Sequence, residues 1–192
     1  MPLTIGLTGG IAAGKSEALA AFERLGAATI SSDAVVHELL DSEPLIGRLT
    51  ERWGDEIAPQ GRVDRSKVGE IVFADPEQLR WLETRIHPLV GERLGAWLAS
   101  LGDDVAVAVV EVPLLFESEM EKVFDTTVAV VTSDEVRRAR AEARGHALVG
   151  EREARQLPQA EKAARAEHVV ENDGSIEDLE RRLSVLVAKL RE

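Results

Sequence analysis

The sequence predicts an α/β protein built on a parallel sheet of five strands, and three observations carry that expectation. Apolar runs alternate with helical patterns along most of the 192 residues, the pattern that strand–helix–strand units leave in a chain. One run, Val105–Val112, reads V-A-V-A-V-V-E-V, as a strand buried on both faces should. The first run, Leu3–Leu7, empties into Gly9-Gly10-Ile11-Ala12-Ala13-Gly14-Lys15-Ser16. That is G-x-x-x-x-G-K-S between a strand and a helix, the context a phosphate-binding loop requires.

Taken in order, the strands are expected at Leu3–Leu7, Ala28–Ser31, Val105–Val112, Thr127–Val131 and His168–Glu171. The helix after the glycine-rich loop is marked by Ala18, Leu19, Phe22 and Leu25, and Gly26 sits where a glycine ends such a helix. Asp75-Pro76 gives an N-cap and a proline at the first helical position. Pro88 interrupts the periodicity that follows, so a kink or break is expected near His87. Ser175 with Asp178 resembles a capping box, and Ile176, Leu179, Leu183, Leu186 and Leu190 give the last helix one apolar face. We read that helix as packing. Between 41 and 101 the alternation stops and the chain is mainly helical, too long for a loop. It reads as a helical insertion that takes the acceptor, with 1–40 and 102–192 as the nucleotide-binding core and 137–156 as a lid.

Composition narrows the classes. A formal net charge of −12 argues against a protein whose main task is gripping nucleic acid. Zero cysteines exclude disulfides, zinc–thiolate sites and thiol nucleophiles together. No apolar run approaches the roughly 20 residues of a membrane span, and the start of the chain leaves no room for a signal peptide. A cytoplasmic protein with no membrane or nucleic-acid partner is expected, a monomer or small homo-oligomer.

The chemistry begins at the loop. Gly9 and Gly14 permit backbone angles that turn successive N–H groups inward around an anion. The following helix points its partly positive end at the same phosphates. Lys15 adds a point charge, and the Ser16 hydroxyl suits Mg²⁺. These residues imply nucleoside triphosphate binding. Asp33, after the second strand, is either an N-cap or a carboxylate that takes a proton or helps hold the metal. Glu111, near the end of Val105–Val112, is either a metal-linked acid or a strand-end residue satisfied by solvent. Arg137, Arg140 and Arg144 fall within about 60° of one another on a helix. With Arg152 and Arg155 they read as a polyphosphate-facing set, on a lid whose mobility Gly145 and Gly150 suggest, or as a solvated face paired with Glu142 and nearby acids. His87 either caps carbonyls at the proline or touches a polar substrate.

Gly6-Leu7-Thr8-Gly9-Gly10-Ile11 with Gly14-Lys15-Ser16, Asp33, Val63-Asp64-Arg65, Ile86-His87-Pro88, Pro113-Leu114-Leu115-Phe116-Glu117 and Glu171-Asn172-Asp173-Gly174 resemble, in order, the dephospho-coenzyme A kinases. The resemblance implies a three-layer P-loop kinase fold: a five-stranded parallel sheet, a helical acceptor-binding insertion and a short lid. It implies transfer of the ATP γ-phosphoryl group to the ribose 3′-hydroxyl of dephospho-CoA, giving CoA and ADP, with Mg²⁺. Carried over, Gly10, Ile11 and the Ala12–Glu17 backbone with Lys15 form the ATP phosphate site, Ser16 and Glu111 stand at the metal, and Asp33 is the carboxylate near the acceptor hydroxyl. Arg140 faces the phosphates, and Arg144 flanks the nucleotide. Arg65, His87, Leu114, Leu115 and Glu117 border the acceptor pocket.

The chain also departs from that pattern. Ser31 replaces the first of two acids, Ala12-Ala13 replace glycine and serine, and Glu17 replaces threonine and is expected to face outward. The segment from Arg144 to Gln156 is about one helical turn short. A nucleoside or nucleotide kinase would share this loop, as would a regulatory GTPase, although the N-K-x-D motif that reads guanine is missing.

Overall fold

The computed structural model describes residues 1–143 and 156–191. In chain order the described elements are β1 (Leu3–Gly9), α1 (Lys15–Arg24), β2 (Ala28–Ser31), α2 (Ser32–Leu40), α3 (Glu43–Trp53), α4 (Arg65–Ala74), α5 (Pro76–Ala99), β3 (Val107–Glu111), β4 (Thr126–Val131), α6 (Asp134–Ala143), α7 (Gln159–Arg165), β5 (His168–Glu171) and α8 (Ile176–Leu190). They form two compact units, Met1–Ser31 with Leu101–Glu192, and Ser32–Ser100. Among the described residues no helix is long and apolar enough to cross a membrane.

The first unit is the sheet with its helices. The strand order is β2-β3-β1-β4-β5 and every pairing is parallel. All five strands stand where the apolar runs put them. β1 is longer than expected because Thr8 and Gly9 still pair with Ala129 and Val130 of β4. β3 starts later than expected because Val105 closes a turn onto the Gly102 carbonyl. Ile5 and Leu7 of β1, Phe22 of α1, Val109 of β3 and Val128 and Val130 of β4 share one core with Leu179 and Leu183 of α8. The two leucines are at most 1% exposed, and truncating such a side chain costs about 2–5 kcal/mol. Ser175 and Asp178 close the capping box that starts α8. Ile176 departs from the expected apolar face, since it is 51% exposed: it opens the helix before the turn that reaches the core.

The second unit is helical. Asp75 caps α5 by accepting the Glu77 N–H at 2.8 Å. The break expected near His87 is not found: α5 runs without interruption from Pro76 to Ala99 with Pro88 inside it. Leu82, Ile86, Val90 and Leu94 are all buried, and this unbroken i, i+4 row spans the proline. Its burial offsets the lost backbone hydrogen bond, which costs about 3 kcal/mol in an exposed helix. α2 and α4 both pack against α5, so the unit opens at Ser32 rather than at 41.

Candidate active site

The phosphate-binding loop leaves β1 at the centre of the sheet and ends at α1. Gly9 (φ 156°) and Gly14 (φ 94°) both have positive φ. A Cβ on Gly9 would stand 2.4 Å from the Val130 carbonyl oxygen, and one on Gly14 would stand 2.1 Å from the Asn172 amide nitrogen. Both positions therefore exclude any side chain, which explains the glycine spacing of the motif. Ala12 also adopts a left-handed conformation, φ 60°, a region that costs an L-residue about 1–2 kcal/mol. Ala13 is fully buried. The Lys15 ammonium folds over the loop and donates to the Gly9 and Gly10 carbonyls at 3.2 and 3.0 Å. Gly10 is buried, but Ile11, Ala12 and Gly14 are half-buried and Ser16 is exposed, so the open side of the loop and the first turn of α1 can meet an anion.

Three side chains from outside the loop hold it. Asn172, directly after β5 and 5% exposed, donates its amide to the Ala13 carbonyl at 2.8 Å. Arg140 of α6 donates to the same carbonyl at 3.5 Å, which puts a guanidinium at the loop. Gln159, the first residue of α7, lies against Gly10 and bonds both the Thr132 N–H and its carbonyl. Asp173 accepts from the Thr132 hydroxyl at 2.6 Å and the Ser133 N–H at 2.7 Å. Those two bonds, with the Arg140 charge beyond them, outweigh desolvation and hold its carboxyl below the usual aspartate value.

Glu17 turns away from the loop, along α1, to pair with Arg24 at 3.1 Å. Arg24 also pairs with Glu180 at 3.2 Å. Arg137, on the loop-facing helix α6, pairs with Asp134 at 3.1 Å. Glu111 ends β3, in register with Leu7 on one side and Ser31 on the other, and is 7% exposed. The Ser16 hydroxyl and the Glu111 carboxylate are hard oxygen donors of the kind Mg²⁺ takes. Among the described residues no group of three His, Cys, Asp or Glu could hold a metal alone.

The helical unit carries three of the expected residues. Asp33 is not the cap of α2: the helix begins at Ser32, and Asp33 lies exposed within its first turn. Its carboxylate makes no hydrogen bond among the described residues. Arg65 starts α4 and pairs with Asp41 at 3.0 Å, beside a cavity of about 460 Å³ lined also by Pro59, Arg62, Val63 and Asp64. Burial opposes ionisation of Asp41, but the Val63 N–H and Arg65 overcome it and lower its pKa. His87 is exposed on α5.

The segment after β3 divides its residues. Leu114 is 38% exposed, while Leu115 is fully buried. Leu115 is thus a core anchor and not a pocket residue, because its burial fixes the turn that exposes Leu114. Glu117 accepts the Leu157 N–H at 2.7 Å and pairs at 3.0 Å with Lys162 of α7. Its other oxygen is buried with no hydrogen-bond partner among the described residues. Lys162 is 0% exposed and also donates to the Pro113 carbonyl. Burial pushes its pKa down, and Glu117 opposes the shift.

Four contributors were given no role by the sequence reading: Asn172, which stands there only within the motif that carries the resemblance, and Gln159, Thr132 and Lys162. Asn172 carried a usable signal, a polar amide just past the carboxyl end of a buried strand, where α/β sheets bind ligands. The other three carried none. Arg144, Arg152 and Arg155 lie outside the described residues, as does the lid expected at 137–156 except for 137–143 and 156.

Comparison with known proteins agrees with this geometry. The sequence model described as dephospho-CoA kinase matches residues 3–178. A dephospho-CoA kinase of Thermosynechococcus vestitus is 38% identical over 188 residues, 94% of this chain and 91% of that one. Among solved structures, a Thermus thermophilus protein described as TT1252 superposes with a TM-score of 0.82 at 37% identity, covering 98% of each chain. A dephospho-CoA kinase from Campylobacter jejuni superposes at 0.74 and 24% identity, over 100% of this chain and 98% of that one, and attests the fold. With its phosphate-binding loop, its parallel sheet and a family match over most of its length, the chain belongs to the dephospho-CoA kinase family.

Proposed function

We propose that the protein transfers the γ-phosphoryl group of ATP to the ribose 3′-hydroxyl of dephospho-CoA, giving CoA and ADP, in the cytoplasm. The observation that carries this reading is the glycine-locked loop of β1 and α1 in a chain matched by the family from residue 3 to residue 178. Backbone N–H groups from Gly10 to Glu17 cradle the phosphates, and the α1 terminus adds its partial positive charge. Lys15 moves its ammonium from the loop carbonyls to the outer phosphates. Arg140 offers a planar fork to the equatorial oxygens as charge redistributes in transfer. The Ser16 hydroxyl and the Glu111 carboxylate would hold Mg²⁺, which would supply charge neutralisation at the phosphates.

On the acceptor side, Asp33 orients or deprotonates the 3′-hydroxyl. Its uncommitted carboxylate in the first turn of α2 suits that task. Arg65, His87, Leu114 and the Glu117 carboxylate border the acceptor. The test is a turnover panel with ATP and Mg²⁺ against dephospho-CoA, nucleosides and nucleoside monophosphates, with the product position read by ³¹P NMR. The reading expects a 3′-phosphomonoester from dephospho-CoA as the dominant product; preference for a nucleoside or nucleotide acceptor contradicts it.

A further inference from the structure

Phosphoryl transfer leaves unused a group of guanidiniums in the helical unit. Arg48 and Arg52 stand one turn apart on α3, and Arg85 stands on α5. With Glu51, Trp81 and Thr84 they line an open cavity of about 650 Å³. Two of the three are fixed in place. Arg85 lies 4.2 Å from the centre of the Trp81 ring and donates to the Trp81 carbonyl at 3.0 Å and the Thr84 hydroxyl at 3.2 Å. Arg52 lies 5.5 Å from the same ring centre, and its Nε donates to Gln78 at 3.1 Å.

Two acids stand near these arginines, Glu51 on the lining and Asp75, whose carboxylate feels the charge of Arg52. Gln78 accepts from Arg52 and also from the Trp53 indole at 2.9 Å. Asp75 is committed to the Glu77 N–H and the Gln78 amide. Among the described residues none of the three guanidiniums is ion-paired with a carboxylate, and Arg48 makes no hydrogen bond at all. Glu51, the single acid on the lining, is exposed and pairs with none of them. Like charges one helical turn apart repel. A chain with 35 acidic residues nevertheless sets three arginines here against two acids, Glu51 and Asp75, neither of which ion-pairs directly with them among the described residues.

We propose that this cavity is a binding site for a diphosphate group, distinct from the phosphate-binding loop. Guanidinium forks match phosphate oxygens two at a time. Stacking on Trp81 and the bonds to Gln78 and Thr84 hold two of the forks before a ligand arrives, which lowers the ordering cost of binding. Both faces of the need are met locally: positive charge in an acidic protein, and donors left over after the protein's own bonds. The diphosphate comes either as the free ion or within a molecule of the coenzyme A type.

The chain has 3 tryptophans, so indole ¹⁵N–H signals report the site without reference to turnover. With the phosphate-binding loop saturated by ADP, inorganic diphosphate and CoA are titrated separately. The Trp81 signal is expected to move saturably with at least one of them. Binding at lower concentration by CoA assigns the source to the larger molecule, and the reverse assigns it to the free ion. Arg48→Gln with Arg52→Gln is expected to raise the apparent Kd at least about tenfold, roughly 1.4 kcal/mol. If the double variant fails to fold, Arg48→Gln alone is read. It loses no internal bond, and an increase of about threefold is expected. A Trp81 signal unmoved by either probe, or one that moves equally in the arginine variants, overturns the proposal and leaves the arginines as covers for Trp81.

Discussion

The side-chain amide of Asn172 donates to the carbonyl of Ala13 at 2.8 Å, joining the end of β5 to the middle of the phosphate-binding loop. Both residues are buried, Asn172 at 5% and Ala13 at 0% exposure. The bond does two things at once. It satisfies a carbonyl that water cannot readily reach, and it occupies the space a side chain at Gly14 would need.

Asn172→Ala should therefore cost about 1–3 kcal/mol of stability, the penalty for a buried acceptor left without its donor. It should also raise the KM for ATP more than the KM for the acceptor. Thermal unfolding and steady-state kinetics check both. Unchanged values for melting and ATP dependence would show that the loop holds its shape without the clamp.

Ala12 occupies a left-handed conformation at φ 60°. Ala12→Gly removes that strain and should stabilise the protein by up to about 1 kcal/mol, whereas the same change in a right-handed helix destabilises by about 0.5–1 kcal/mol. Urea unfolding of the variant distinguishes the two signs.

Lys162 and Glu117 form an ion pair in which the lysine is fully buried. Lys162→Met leaves Glu117 without its counter-charge and should cost about 3–5 kcal/mol. Lys162→Met combined with Glu117→Gln should recover much of that loss, because no buried charge is then stranded. Additive losses in the double variant would contradict the pairing.

On the acid side, Asp173 has its pKa lowered by the Thr132 hydroxyl and the Ser133 N–H. Its unfolded value is near 3.8. Its contribution is complete above that value and is lost as pH falls through the lower folded value. Asp41 and Asp125 shift in the same direction. The melting temperature should hold steady above about pH 5 and fall below about pH 4, and Asp173→Asn should make the acid fall shallower. An Asp173→Asn profile identical in slope to the parent would remove Asp173 from that account.

The parts legible in the sequence were those set by local chemistry. Buried parallel strands need continuous apolar runs, so all five could be read, and the loop glycines are dictated by contacts with Val130 and Asn172. What stayed hidden depends on partners far along the chain. Nothing in Ala160-Glu161-Lys162-Ala163 separates Lys162 from an exposed helical lysine, because its burial depends on Pro113 and Glu117. Pro88 does not end the helix for a related reason: the buried row from Leu82 to Leu94 runs on past it, and α5 packs against α2 and α4. Leu115 and Leu114 differ in exposure although their side chains are chemically the same.

The most direct test follows ADP release on adding dephospho-CoA to the parent protein and to Asp33→Asn with ATP and Mg²⁺. The account predicts one CoA per ADP from the parent. For Asp33→Asn it predicts unchanged melting and ATP binding with kcat lowered about 10²–10⁴-fold. A parent protein that releases no ADP in response to dephospho-CoA, or an Asp33→Asn variant with a normal rate, would contradict it.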